Sequence, residues 1–203
     1  MSRVAGLVLA GGRGRRMAAP VPKPMVELGG QTLLSRVTAC LQGRVDPILL
    51  SAPDDPIFES LGMMVVKDRL PDFAGPLAGL DAAQAWLATH RSDCGGLVSV
   101  PADTPFLPAD LVDVLCAGSP FRPRVASFEG DLQPTVTYWP LSVLARLPDF
   151  LQENQKRSIK AFLETADAEA VEFPRAKDAP DGDPFFNVNT PEDLALAAEF
   201  SGL

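Results

Sequence analysis

Short apolar runs, each followed by a turn and then by an amphipathic stretch, recur along the first part of the chain. They occupy residues 4–10, 48–51, 63–66 and 97–100. A continuous apolar run of this kind is typical of a strand that is buried on both faces, as in a parallel sheet. We therefore predict a buried strand at each of these positions.

Helices are predicted between these strands. Thr32 is a favourable N-cap for a helix over residues 33–41, whose leucines and valine share one face. Residues 76–90, with a proline in the first turn, predict a second helix, and residues 108–116 predict a third. Strands that alternate with helices favour an α/β fold, in which a mostly parallel central sheet carries helices on both faces.

The second part of the chain has a less regular pattern. Apolar stretches on both sides of residues 129–131 predict a hairpin or a two-strand excursion. Residues 141–151 and 158–164 predict helices, and residues 170–173 predict a short strand. Thr190, followed by a proline and two acids, predicts the start of the last helix. That helix is expected to bury four apolar side chains: Leu194, Leu196, Ala197 and Phe200.

Composition excludes several classes of protein. With 46% apolar and 22% charged residues, the 203-residue chain is expected to be globular. The net charge of −8 disfavours nucleic-acid and anionic-membrane binding. No apolar run is long enough to span a membrane, and Met1 lies too close to the first strand to leave room for a signal peptide. These features predict a cytoplasmic protein.

Cysteine and histidine offer little catalytic chemistry. Cys40, Cys94 and Cys116 are far apart and lack CxxC spacing, so we expect reduced, packed thiols. His90 is the only histidine and falls at a helix end, which favours a surface role. Ser-His-Asp and Cys-His catalysis are thereby excluded, and a reaction without a covalent intermediate is favoured.

Three glycines and three arginines follow the first strand, within residues 11–16. Glycines let backbone N–H groups face a ligand, and guanidinium groups bind phosphate oxygens. A Walker A loop is excluded because no Gly-Lys-Ser/Thr follows, and a dinucleotide fingerprint is disfavoured because Met17 replaces the third glycine. The pattern predicts a polyphosphate cradle; the alternative is a glycine turn with solvated arginines. The predicted cradle contacts are Gly11, Gly12, Arg13 and Arg16.

Polar residues also follow the other predicted strands. Ser51, Asp68 and Asp103 come at or just after strand ends, where ligands bind in parallel sheets. Asp103 is the predicted Mg²⁺ ligand; the alternative is an Asx turn before Pro105. Asp68 is predicted to accept hydrogen bonds from ribose hydroxyls or from guanine N1–H and N2–H₂, and the alternative is a loop-capping carboxylate.

Three further residues are candidates for this site. Lys23 would place a charge on the phosphate near the reacting phosphorus, unless it is a solvated loop lysine. Asn187 and Asn189 face the same side of an extended segment. One of them, with Asn189 as our choice, would complete the metal shell and the other would orient substrate; loop hydrogen bonding is the alternative for both. Gly79, inside a predicted helix, indicates either close packing or the close approach of a ligand, here the nucleotide.

Four motifs make the chain similar to a known family. They are Leu-Ala-Gly-Gly at 9–12 with Arg-Arg-Met at 15–17, Gly-Pro-Leu-Ala-Gly at 75–79, Ala-Asp-Thr-Pro-Phe at 102–106, and Asn-Val-Asn-Thr-Pro-Glu-Asp-Leu at 187–194. Through them the chain resembles the molybdenum cofactor guanylyltransferases, within the nucleotidyltransferase superfamily. The resemblance implies a three-layer, Rossmann-like nucleotidyltransferase fold. It also implies transfer of GMP from Mg·GTP to molybdenum-molybdopterin, with release of pyrophosphate.

The resemblance also assigns residues to the two substrates. Contacts to GTP are implied for Leu9, Ala10, Gly11, Lys23, Asp68 and Asp103, with Asp103 on the metal. Contacts on the pterin side, or a part in the chemistry, are implied for Arg16, Gly75, Gly79, Arg157, Asn187 and Asn189. We accordingly expect one domain over residues 1–203, with a nucleotide-binding half (1–117) and an acceptor-binding half (118–203). Molybdoenzyme maturation proteins are implied as partners by the resemblance alone.

Two departures from the family pattern leave alternatives open. Proline replaces the usual acid before Lys23, as in sugar-phosphate nucleotidyltransferases, and Ser51 stands where the family often has an asparagine that touches the nucleotide. A cytidylyltransferase of the molybdenum cofactor or a sugar-phosphate nucleotidyltransferase is therefore the second hypothesis. A non-catalytic nucleotide-binding protein is the third.

Overall fold

A seven-stranded sheet forms the centre of the molecule. The computed structural model describes residues 3–11, 17, 21–69, 75–153 and 158–202. The strands of the sheet are β1 (Arg3–Leu9), β4 (Ile48–Ser51), β5 (Met64–Val66), β6 (Cys94–Pro101), β7 (Arg124–Phe128), β8 (Asp131–Pro140) and β9 (Glu169–Glu172). A separate two-stranded hairpin consists of β2 (Glu27–Leu28) and β3 (Gln31–Thr32).

The sheet is mostly parallel, as the apolar runs predict. Its strand order is β5-β4-β1-β6-β8-β7-β9. β5, β4, β1 and β6 are parallel neighbours, and so are β7 and β9. Only β8 runs against its neighbours, because it returns from β7 through the predicted hairpin turn at Glu129 and Gly130, both with positive φ. The carboxyl ends of β5, β4, β1 and β6 consequently lie along one edge.

Helices cover both faces of the sheet. They are α1 (Leu33–Leu41), α2 (Pro56–Glu59), α3 (Pro76–His90), α4 (Leu111–Cys116), α5 (Leu141–Leu144), α6 (Leu147–Glu153), α7 (Ile159–Thr165) and α8 (Pro191–Phe200). The predicted N-cap of α1 is confirmed, because the Ser35 N–H donates to Thr32 Oγ1 at 3.1 Å. The single helix predicted over residues 141–151 is wrong. Two helices occur, since the ring of Pro148 would clash with the carbonyl of Leu144 in a continuous one.

Two apolar cores, one on each face, make the molecule three-layered. Leu7 and Val8 are adjacent in β1 and are both fully buried, but they belong to different cores because successive strand residues point to opposite faces. The first core contains residues of α3, α5, α6 and α7, and the second contains residues of α1 and α4. The prediction of a three-layer α/β fold is thereby confirmed.

The last helix packs less deeply than its sequence suggests. Ala197 is fully buried, Leu194 and Phe200 are half-buried, and Leu196 is 37% exposed, so the expectation that Leu196 is buried was wrong. The reason is that α8 lies outside the main sheet, against a small cluster beside the β2–β3 hairpin, and buries only a narrow stripe there. That cluster consists of Met17, Val26, Leu28, Leu33, Val188 and Ala197.

The three cysteines are free thiols. Burial raises the pKa of Cys40 and that of Cys116 to about 11, so both thiols stay protonated at neutral pH. This agrees with the expectation of reduced, packed cysteines. Across the parts of the chain that the structure describes, no helix is long and apolar enough to cross a membrane.

Candidate active site

Several of the predicted site residues lie at or just past the carboxyl edge of the parallel strands. β1 ends at Leu9 and continues into Ala10 and Gly11, while Ser51 ends the neighbouring strand β4. The Ala10 N–H donates to the Ser51 carbonyl at 2.8 Å, and the Ala102 N–H donates to the Leu9 carbonyl at 3.0 Å. These bonds extend the sheet beyond the regular strands, so the segment that carries the predicted cradle starts from a fixed position.

At this edge Lys23 joins two other candidate residues. Its ammonium donates to Asp103 Oδ2 and, at 2.7 Å, to Asn189 Oδ1. The side chains of Lys23 and Asp103 are 13% and 25% exposed, so the ion pair is partly shielded from water. Three residues that are far apart in the sequence therefore meet at one point. We call Lys23, Asp103 and Asn189 the edge cluster.

Local structure explains how each member of the edge cluster is held. Lys23 begins a one-turn 3₁₀ helix (Lys23–Met25) after Pro22, whose restricted φ of −52° sets the approach of the chain. Asp103 follows β6, and its carbonyl accepts a hydrogen bond from the Val188 N–H at 2.9 Å. That bond brings the segment containing Asn189 beside the end of β6.

The start of α8 fixes the backbone of Asn189. Thr190 and Asp193 form a capping box, which confirms Thr190 as the N-cap. Asp193 Oδ2 accepts from the Asn189 N–H and the Thr190 N–H, both at 2.8 Å. Burial opposes ionisation of Asp193, but these hydrogen bonds outweigh it and hold the pKa of the carboxyl below its usual value.

The two predicted asparagines have different surroundings. Asn189 reaches Lys23, whereas Asn187 is exposed and donates to the Phe185 carbonyl at 3.2 Å. The structure therefore places Asn189, rather than Asn187, beside Asp103. The part of Asn187 in substrate binding stays a prediction.

Glycines at α3 serve close packing and an unusual backbone conformation. A Cβ on Gly79 would lie 2.5 Å from Ser51 Oγ and 2.9 Å from Leu9 Cδ2, so the predicted close approach is to the ends of β1 and β4. Gly75, the N-cap of α3, has a φ of 141°, which side-chain-bearing residues rarely adopt. Contacts of either glycine with ligand stay predictions.

Two residues near Asp68 were missed by the sequence analysis. Asp81 on α3 is buried, and Arg69 binds it through three hydrogen bonds of 3.0 to 3.1 Å. Burial, followed by the charge of Asp81, raises the pKa of Asp68. The sequence signal that could have identified Asp81 is its position as a single acid, between Leu80 and Ala82, in an otherwise apolar stretch.

Four predicted contacts lie outside the described residues: Gly12, Arg13, Arg16 and Arg157. Their parts in binding or catalysis stay predictions based on the sequence.

The donor set of the edge cluster fits a hard cation that takes few protein ligands. A carboxylate oxygen of Asp103 and an amide oxygen of Asn189 both reach one cationic group, the ammonium of Lys23. Within the described ranges, no group of three or more His, Cys, Asp or Glu side chains could hold a metal. Mg²⁺ is commonly held by one or two carboxylates, with phosphates and water completing its shell.

Comparison with known proteins agrees with this architecture. Residues 6–170 match the model of a family described as MobA-like NTP transferase domain. A molybdenum cofactor guanylyltransferase from Bradyrhizobium sp. (strain ORS 278) is 38% identical over 98% of this chain and 94% of its own length.

Solved structures of other proteins share this fold. A molybdopterin-guanine dinucleotide biosynthesis protein A from Archaeoglobus fulgidus superposes with a TM-score of 0.68 and 26% identity, over 96% of this chain and 97% of the other. A 4-diphosphocytidyl-2C-methyl-D-erythritol synthase from Anaerococcus prevotii has a TM-score of 0.72 at 12% identity, over 98% of both chains, and shares the fold alone. From the family match and the near full-length similarity to its relatives, this chain belongs to the MobA-like NTP transferase family.

Proposed function

We propose that this protein transfers GMP from GTP to molybdenum-molybdopterin, forming the guanine dinucleotide cofactor and releasing pyrophosphate. The observation that carries the proposal is the edge cluster. A lysine, a carboxylate and an amide meet just past the end of β6, whose last residue is paired with the last residue of β1, at the edge where parallel sheets bind ligands. The near full-length relative from Bradyrhizobium bears the name of this activity.

The reaction we propose is a direct displacement. An oxygen of the acceptor phosphate forms a bond to the α-phosphorus of GTP, and the bond from that phosphorus to the oxygen bridging to the β-phosphate breaks. The chain offers no histidine partner for a covalent intermediate. His90 is its only histidine; it lies at the end of α3, stacked on Trp86, with Nδ1 2.9 Å from the Trp86 carbonyl oxygen. Positioning and electrostatic stabilisation are sufficient for such a transfer.

Each part of the site has a proposed task. Asp103 and Asn189 would hold Mg²⁺, which offsets negative charge on the triphosphate and on the departing pyrophosphate. Lys23, Arg13 and Arg16 supply fixed positive charge to the phosphates. The nucleotide side includes Leu9, Ala10, Gly11, Gly12, Ser51, Asp68 and Gly79, and the acceptor side includes Gly75, Arg157 and Asn187.

We also place the reaction in the cytoplasm, where molybdoenzyme maturation proteins would take up the product. The absence of any membrane-spanning helix from the described residues is compatible with this location.

A nucleotide panel tests the proposed function. We expect calorimetry with Mg²⁺ to show selective binding of GTP over CTP, ATP and UTP, and pyrophosphate to be released once the pterin acceptor is added. Selective CTP or UTP binding would favour a cytidylyl- or sugar-phosphate nucleotidyltransferase. GTP binding without metal-dependent pyrophosphate release would indicate a non-catalytic nucleotide-binding protein.

A matched pair of variants assigns the activity to the edge cluster. Asp103→Asn should abolish pyrophosphate release, because it removes the charged oxygen ligand while keeping the shape of the side chain. Asp113→Asn makes the same change at an exposed aspartate of α4, which pairs with Arg44, and should leave the rate unchanged. An active Asp103→Asn variant would remove Asp103 from the reaction.

A further inference from the structure

An ion pair between a buried carboxylate and a half-exposed arginine lies directly beside Asp68. The Asp81 side chain is 1% exposed and is, within the described ranges, the one charged residue that is fully buried. Arg69 Nε donates to Oδ2 at 3.1 Å, and Arg69 Nη2 donates to both carboxylate oxygens at 3.0 Å. Burial of a charge is unfavourable unless it is well paired, and a forked arginine contact is the geometry that compensates it best.

This ion pair fixes the segment that contains Asp68. Residues 67–69 leave the sheet after β5, and Arg69 attaches them to α3 through Asp81. On the other side of Asp68, Lys67 Nζ donates to Asp54 Oδ1 at 2.7 Å. That second pair is exposed, at 62% and 79% of the two side chains, and therefore weak, so the Arg69–Asp81 pair is the principal attachment.

The Asp68 carboxylate is left available between these two paired neighbours. It pairs with no cation among the residues that the structure describes. α3 packs directly on the sheet, because Gly79 contacts Ser51 and Leu9. Asp81 follows Gly79 by two residues in the same helix. The same helix therefore carries the anchor of Asp68 and contacts the ends of β1 and β4.

We propose that Arg69 and Asp81 are positioning residues for base recognition, which hold the Asp68 carboxylate so that it accepts from the guanine N1–H and N2–H₂ groups. This inference rests on the proposed function. A carboxylate matches these two donors only when its position is fixed. The Asp81 charge raises the pKa of the neighbouring Asp68, and the paired Arg69 brings a positive charge that opposes this effect.

Binding of GTP and of inosine triphosphate, which lacks only the 2-amino group, tests the proposal. By calorimetry with Mg²⁺, the wild-type protein should bind GTP about tenfold or more tightly than inosine triphosphate, because one hydrogen bond to a charged acceptor is lost. Arg69→Ala should bring the two affinities close together, mainly by weakening GTP binding. A wild-type protein that binds both nucleotides equally would overturn the proposal.

Two further variants separate positioning from stability. Arg91→Ala removes an arginine that pairs with Asp46 and Asp93, before the starts of β4 and β6, and should keep the full preference for GTP. The double variant Arg69→Met/Asp81→Leu replaces the ion pair by apolar side chains and should stay folded while the preference is lost. If either Arg69 variant keeps the wild-type preference, the pair only compensates a buried charge and the inference is wrong.

Failure of the inference is distinguishable from failure of the proposed function. A wild-type protein that selects CTP or UTP over GTP would contradict the proposed function and, with it, the inference. A wild-type protein that selects GTP, together with Arg69 variants that do so equally well, would contradict the positioning role alone.

Discussion

Lys23 has a different electrostatic setting from the other lysines that the structure describes. Its ammonium is shared between the anionic Asp103 and the neutral amide of Asn189, at a largely buried position. The same two oxygens are the proposed metal ligands. We expect Lys23 and a metal ion to compete for this donor set in the free protein, so that metal binding requires Lys23 to move to another anion. The triphosphate of the proposed substrate would supply such an anion.

Removal of Lys23 should therefore improve metal binding in the absence of nucleotide. In Lys23→Ala, Asp103 and Asn189 lose their internal cation, and we expect the Mn²⁺ dissociation constant to fall by about tenfold, comparable to one hydrogen bond with a charged group. Titration followed by the electron paramagnetic resonance signal of free Mn²⁺ measures this without any turnover.

Lys67→Ala is the matched control for that titration. It removes the same charge and also releases a carboxylate, that of Asp54, but at an exposed site. We expect little change in Mn²⁺ affinity. Equal affinities of Lys23→Ala and the wild-type protein would show that Lys23 does not compete for the metal ligands.

Residues with a motif or a strand-end position could be predicted from the sequence, and residues with only a tertiary partner could not. The sequence pattern indicates a functional role for Lys23, Asp103 and Asn189 separately, but not that their side chains meet. Asp81 could not be predicted, because what distinguishes it is its burial and its ion pair with Arg69. No local sequence pattern predicts which residue will pair with an acid on a helix. The distinct surroundings of Asn187 and Asn189 likewise depend on the hydrogen bond from Val188 to Asp103.

At the scale of elements, α3 illustrates how packing can outweigh helix propensity. Gly79 should cost its helix about 1 kcal/mol relative to alanine. Yet the added carbon would lie 2.5 Å from Ser51 Oγ and 2.9 Å from Leu9 Cδ2, far inside normal contact distances. The glycine is therefore required by the contact between helix and sheet.

Gly79→Ala should consequently destabilise the protein in spite of the better helix former. We expect a net loss of about 1–2 kcal/mol in the free energy of unfolding, because overpacking of a close contact commonly costs about 1–3 kcal/mol. Urea denaturation monitored by circular dichroism gives this value. An unchanged or increased stability would contradict the packing role.

Two further variants test whether the close contact at Gly79 causes this loss of stability. Gly11→Ala places its new carbon in open space, with no atom within 4 Å, and should leave the stability nearly unchanged. Ser51→Gly combined with Gly79→Ala removes both the Oγ and the Cβ that obstruct the new methyl group, so it should recover part of the loss. Absence of any recovery would mean that Leu9 alone limits the approach of the helix.

The elements themselves were predictable where the apolar pattern was local and strong. The strands β1 and β4 and the helices α1 and α3 lie within a residue or two of their predicted positions. The predictions were wrong where tertiary packing, rather than the local sequence, determines burial. Leu196 is exposed because α8 packs only on a small side cluster, which the sequence of the helix does not reveal.

At the scale of the whole molecule, the two predicted halves share one sheet and both of the apolar cores that cover it. β6 from residues 1–117 pairs with β8 from residues 118–203, and the Trp139 Nε1–H donates to Ser99 Oγ across that boundary at 3.0 Å. Leu80 of the first half and Phe162 of the second lie in the same apolar cluster. The edge cluster also crosses the boundary, through Asn189. Neither half has a complete core of its own.

The protein should therefore unfold as one cooperative unit, and its two tryptophans can report on the two halves. Trp86 lies in α3 and Trp139 in β8, so Trp139→Phe leaves a reporter for the first half and Trp86→Phe leaves one for the second. In each variant we expect the urea midpoint from tryptophan fluorescence to coincide with the midpoint from far-ultraviolet circular dichroism. The comparison is made within a variant, because loss of the buried Trp139 lowers overall stability and would shift both midpoints together. If Trp86 fluorescence changed before or after the circular dichroism, the halves would be separate folding units, and the edge cluster would be an interface between them that substrate binding could open.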